Sequence, residues 1–140
     1  WKGSGLDEFG AAGPRGRPIS TSEAPRAVGP YVQAISVHDT LYLSGQLPLD
    51  PKTGELVEGG IGEQTERVMR NLQAVLAAEG LTLNDAVMAN VFITDLGEFS
   101  EMNAMYASFF KAPPARATVE VKGLAKGARV EISLIAVRPG

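Results

Sequence analysis

The chain has no cysteine, one histidine (His38) and one tryptophan (Trp1) among its 140 residues. Without thiols there is no disulfide, no thiolate nucleophile and no cysteine-ligated metal. With one histidine, a metal site would have to be built almost wholly of carboxylates, and a serine–histidine relay would depend on His38 alone. A basic excess is also missing. Thirteen Lys and Arg against sixteen Asp and Glu leave a net charge of -3, which argues against nucleic-acid binding, where a basic face supplies most of the affinity. No apolar stretch approaches the roughly 20 residues that a membrane helix needs. The expectation is a soluble protein with no nucleic-acid or membrane partner. The lack of cysteine fits a reducing compartment, so the cytoplasm is expected, with an organelle also compatible.

What is present fits one domain able to bury a real core, with 44% hydrophobic and 21% charged residues. Residues 1–18 hold five glycines and two prolines and show no period. They read as a tail, either vector-derived or the remnant of a leader. Arg15 and Arg17 would suit a transit peptide, whereas Asp7 and Glu8 would not. The folded domain is expected over 19–140.

Residues 32–37 and 41–47 are short runs of strand formers, separated by His38-Asp39-Thr40, a natural hairpin turn. His38 in that turn reads as a surface residue. Turn signals follow at Asp50-Pro51-Lys52-Thr53-Gly54 and at Gly59-Gly60. The period then changes. Over 63–78, Val68, Leu72, Val75 and Leu76 form one stripe of an amphipathic helix, and Gly80 suits its C-terminus.

Residues 86–94 read as a buried strand. Asp95 with Glu98 three residues on resembles a capping box opening a second helix, whose Phe99, Met102, Tyr106 and Phe109 share a face. Pro113-Pro114 ends it. In the strand at 116–122, Ala117, Val119 and Val121 oppose Arg116, Thr118 and Glu120. In that at 129–137, Val130, Ile132 and Leu134 oppose Arg129, Glu131 and Ser133. Residues 134–137 are apolar on both faces and should be covered on both. The order β-β-α-β-α-β-β, with a short extra strand near Ile19, implies an α+β domain with a sheet of five or six strands and both helices on one face. The other face needs a cover, which an oligomer supplies economically.

Four pieces of the chain carry a resemblance. They are Gly29-Pro30-Tyr31-Val32-Gln33-Ala34, Leu43-Ser44-Gly45-Gln46, Pro114-Ala115-Arg116-Ala117-Thr118-Val119-Glu120-Val121 and Val130-Glu131-Ile132. In this order, over about residues 19–138, they resemble the RidA (reactive intermediate deaminase) family. That resemblance implies a chorismate-mutase-like subunit in a homotrimer, with active sites in the clefts between subunits. It implies hydrolysis of 2-aminoacrylate and related enamines or imines, released by pyridoxal-phosphate-dependent dehydratases, to 2-keto acids and ammonia. No cofactor is implied.

The resemblance places a substrate-binding arginine at Arg116, and a guanidinium suits it, since it grips a carboxylate bidentately. Glu131 corresponds to the family's glutamate of the last strand, which orients or activates a water. Tyr31 and Ser44 match a pocket tyrosine and the serine of the Ser-Gly-Gln motif, and Asn103 matches a helix asparagine near the pocket. Taken alone, these residues read as a solvated strand-edge arginine, an exposed strand glutamate, a half-buried strand tyrosine, a turn serine and a neighbour of the core. Thr118 stands where well-known members carry cysteine. Water addition needs no covalent intermediate, and a backbone carbonyl there holds a water whatever the side chain, so substrate preference is affected more than reaction type.

Rival readings are a non-catalytic sensor binding small carboxylates such as 2-keto acids in the same cleft, a ribonuclease, and a chaperone-like holdase. Glu131 speaks against the sensor, because carboxylate binding alone does not require it. Acidic balance and scarce aromatics speak against the ribonuclease.

Overall fold

Alternation between turn signals makes strands, and the switch of period after residue 60 makes the first helix. The computed structural model describes residues 16–140. Its strands are β1 (Arg17–Ile19), β2 (Ala34–Val37), β3 (Thr40–Gln46), β4 (Ala86–Ile93), β5 (Ala115–Glu120) and β6 (Val130–Val137), and its helices are α1 (Ile61–Ala77) and α2 (Phe99–Ala107). They form one mixed sheet in the order β1-β2-β3-β6-β4-β5. Every pairing is antiparallel except β4 with β5, which α2 joins as a parallel crossover. The expected α+β fold with two helices on a six-stranded sheet is the one found.

The helix α1 starts two residues earlier than its apolar stripe suggests, because Gly60 is its N-cap and the Glu63 side chain accepts the Gly60 N–H at 2.8 Å. It ends at Gly80, whose φ of 72° lets Leu81 N–H reach the Leu76 carbonyl at 3.0 Å. Val68, Leu72, Val75 and Leu76 of α1 and Met102 and Tyr106 of α2 pack onto Leu41, Leu43, Ala89, Val91, Ile132 and Leu134. This is one core on one face of the sheet.

Several expectations need correction. Arg17 and Pro18 belong to β1, so the fold takes in the last residues of the stretch read as a tail; the tail reading of residues 1–15 lies outside the described residues. The Asp95–Glu98 capping box does not form. Asp95 accepts the Gly97 N–H at 2.8 Å, while Glu98 turns to Arg129 at 2.6 Å, a full charge pair outcompeting a backbone N–H. Residues 134–137 are covered on one face only within the chain, since Val137 is exposed. Tyr31 lies in a loop and Ser44 in a strand, the reverse of their isolated readings. His38 is exposed in the β2–β3 turn, as expected.

Candidate active site

Strand β5 turns its polar side inward. Arg116 and Thr118 register against Ala89 and Val91, which face the helices. Ala117 and Val119 therefore point outward and are exposed. The Arg116 guanidinium lies over two rings of α2, 4.9 Å from the Tyr106 centroid and 5.6 Å from that of Phe99. Among the described residues no carboxylate pairs with it. Around it, Asn103 Oδ1, Tyr106 Oη and Thr118 Oγ1 are buried without any hydrogen-bond partner. Buried polar atoms are nearly always paired. Three such atoms lie on α2 and β5, the two elements that frame this guanidinium.

Glu131 is not there. It is flanked in β6 by the fully buried Val130 and Ile132 and registers with Phe92, so it lies on the outer face of the sheet. Its half-buried side chain crosses the backbone at Gly45, where an added Cβ would collide with the carboxylate. Burial pushes its carboxyl above the ordinary glutamate range. The β3–β6 register shifts between Leu43 and Gln46, and this irregularity, with a glycine inside it, makes the space the carboxylate occupies.

Ser44 and Tyr31 gather on the same side of the molecule as Gly45. The Ser44 hydroxyl donates to the Val32 carbonyl at 2.6 Å, so its proton is already committed. Tyr31, 42% exposed, accepts the Val28 N–H at 3.3 Å and shares with Gly45 and Gln46 a crevice of about 20 Å³. Gln33 holds the loop that carries Tyr31. Its side chain accepts from Thr21 N and donates to Thr21, Ala24 and Pro25 carbonyls at 2.7–3.3 Å.

The six residues named from sequence thus fall into two groups. Arg116, Thr118 and Asn103 lie on the helix side at the edge of the sheet; Glu131, Ser44 and Tyr31 lie around the outer face and the β3 bulge. Within one chain the sheet separates them. Sequence reasoning missed Gly45, Gln33 and the Phe99–Tyr106 platform. A glycine inside a strand run was the available signal for the first, and the seven-residue spacing of Phe99 and Tyr106 for the platform, while nothing local signalled the hydrogen bonds of Gln33. Among the described residues no group of three His, Asp or Glu could hold a metal ion, and no helix is long and apolar enough to cross a membrane.

The chain is thus an α+β domain with an arginine without an ion-pair partner among the described residues at its sheet edge and a half-buried glutamate on the opposite face. A family model described as Endoribonuclease L-PSP matches residues 21–138, and the chain belongs to that family, the RidA family. It is 53% identical over 119 residues to the RutC family protein y4sK of Sinorhizobium fredii, covering 84% of this chain and 94% of that one. To the 2-iminobutanoate/2-iminopropanoate deaminase of Mus musculus it is 44% identical over 121 residues, 86% of this chain and 90% of the mouse protein. The crystal structure of RidA from the Antarctic bacterium Psychrobacter sp. PAMC 21119 superposes with a TM-score of 0.84 at 45% identity, covering 86% of this chain and 98% of that one.

Proposed function

We propose that the protein is a cofactor-free deaminase that hydrolyses enamines and imines of the 2-aminoacrylate type to 2-keto acids and ammonia. The observation that carries this reading is the unpaired Arg116 guanidinium beside three unpartnered buried polar atoms. The iminobutanoate deaminases among its relatives agree with it.

The same reading makes the protein a homotrimer of chorismate-mutase-like subunits. Arg116 and Glu131 sit on opposite faces of one sheet, so a complete site needs the outer face of one copy against the β5 edge of the next. Contact between two different patches is heterologous, and such contacts close into rings. The outer face is dressed for burial, with Tyr42 50% and Val119 48% exposed in the single chain.

In such a cleft Arg116 holds the substrate carboxylate in a two-pronged, charge-assisted pair. An enamine first takes a proton from solvent at its terminal carbon and releases one from its nitrogen, becoming the imine. Water then adds to C2 while Glu131 accepts one of its protons. That proton passes to the nitrogen, giving a carbinolamine. The C2–N bond then breaks as the C2 hydroxyl passes its proton, by way of Glu131, to the departing nitrogen, so ammonia leaves and the oxygen becomes the keto oxygen. Tyr31 closes the pocket, Ser44 and the Thr118 backbone hold water, and Asn103 contacts the polar part of the substrate. A carboxyl raised by burial suits this shuttle better than an ordinary glutamate, being closer to the working pH.

The test couples a dehydratase acting on serine or threonine to the protein and follows keto-acid formation. Wild type accelerates release and Arg116→Ala abolishes the acceleration. No acceleration, with 2-ketobutyrate still binding in a titration, replaces the deaminase by the carboxylate sensor. RNA cleavage that persists in Arg116→Ala belongs to another site or a contaminant.

A further inference from the structure

Arg116 has no anionic partner among the described residues, yet it is half-buried. Two aromatic rings of α2 lie against its charged group. We propose that Tyr106 is the positioning residue for Arg116: its ring fixes the plane of the guanidinium, so that the in-plane N–H donors rather than the π face meet the substrate carboxylate. This rests on the reading of Arg116 as the carboxylate site.

The geometry assigns the larger share to Tyr106. Its centroid is nearer than that of Phe99, 4.9 against 5.6 Å, and Tyr106 is 5% exposed within the main core. Phe110 braces it at 4.9 Å in a tilted ring pair. Phe99 is only partly buried and contributes a looser second support seven residues earlier, on the same face of α2. A cation stacked on a ring has its face occupied and its edge free, and the edge is where bidentate carboxylate recognition happens.

The stacking itself does not use the hydroxyl. Tyr106 Oη is buried without a partner, so deleting it leaves no group unpaired. Burial pushes the phenol above its ordinary range, with Arg116 opposing, which keeps it neutral at physiological pH and leaves the ring, not a phenolate, to hold the guanidinium.

The test is isothermal titration of the intact protein with 2-ketobutyrate and with its uncharged amide, in wild type, Tyr106→Leu and Tyr106→Phe. The expected result is a roughly tenfold loss of 2-ketobutyrate affinity in Tyr106→Leu, as a desolvated cation–π contact implies, with amide binding unchanged and Tyr106→Phe recovering most of the loss. The carboxylate-to-amide ratio is the decisive readout, because a merely structural role lowers both affinities together. Equal losses for both ligands, no loss, or a Tyr106→Phe as poor as Tyr106→Leu overturns the positioning role alone. A wild type that binds neither ligand sinks the carboxylate site and this role with it.

Discussion

The two faces of the sheet obey opposite rules. On the helix side, Leu41, Leu72, Ile132 and Leu134 are essentially inaccessible and interlock. On the outer side Tyr42, Val119 and Val137 stand exposed on the same face as Glu131. Strand β5 makes the difference plainest, since its small and apolar residues look outward and its arginine and threonine look in. The inner face is finished within one chain. The outer face, among the described residues, keeps large apolar side chains exposed.

The sharpest way to break this comparison is to truncate matched residues on the two faces. Ile132→Ala should destabilise by about 2–5 kcal/mol, as removal of a buried Ile does, with no dependence on protein concentration. Val119→Ala on an isolated chain should stay within about 0.5 kcal/mol. If the outer face is buried between copies, the Val119→Ala loss is largest where the copies are assembled and fades as dilution separates them, because folding and assembly are linked. Thermal unfolding at two concentrations tells the faces apart, and a Val119→Ala effect as large and as concentration-independent as that of Ile132→Ala erases the distinction.

Glu131 gives the next largest effect, on pH dependence. Its folded pKa is raised by burial, so the native state holds this proton more tightly than the unfolded chain does. Stability from this group is present below the unfolded glutamate pKa and lost as pH rises through the folded one. Glu131→Gln should therefore raise Tm at neutral pH and leave it little changed near pH ~3, below both values. Activity should move the other way. The acid limb of kcat/KM should lie above the usual carboxylate range and vanish in Glu131→Gln together with turnover. A variant with full turnover removes Glu131 from the chemistry.

Much of the inner face was legible in sequence because its signals are local. Val68, Leu72, Val75 and Leu76 declare a helix by spacing, and Gly80 declares its end. Met102 and Tyr106 could be placed on one face before any coordinates. The outer face was less legible because its signals are not local. Alternation correctly separated Ala117 and Val119 from Arg116 and Thr118, but gave no sign which set turns toward the helices. Glu98 misled for a related reason: its partner Arg129 is remote in sequence, and a local motif cannot announce a tertiary competitor. The motifs named Arg116 and Glu131 together as candidates, and only the topology shows that one chain keeps them apart.

The smallest expected effect belongs to a second carboxylate whose surroundings push it the opposite way. Glu79, just past the end of α1, accepts hydrogen bonds from Arg17 of β1 and, at 2.7 Å, from Arg138 beyond β6. The hydrogen bond from Arg17 holds its carboxyl below the ordinary range, against an opposing contribution from burial and with Arg138 assisting. Here the native state releases the proton more readily than the unfolded chain. The stabilisation is therefore present above the unfolded glutamate pKa and lost as pH falls through the folded one. Glu79→Gln should lower Tm slightly at neutral pH, and the difference from wild type should close in acid. Because Arg17 is exposed, it should also shrink in about 1 M salt, where screening acts within a few ångströms. The two glutamate variants thus shift Tm at neutral pH in opposite directions. Tm shifts of the same sign would mean that the clamp on β1 and the open face do not differ electrostatically in the way their neighbours require.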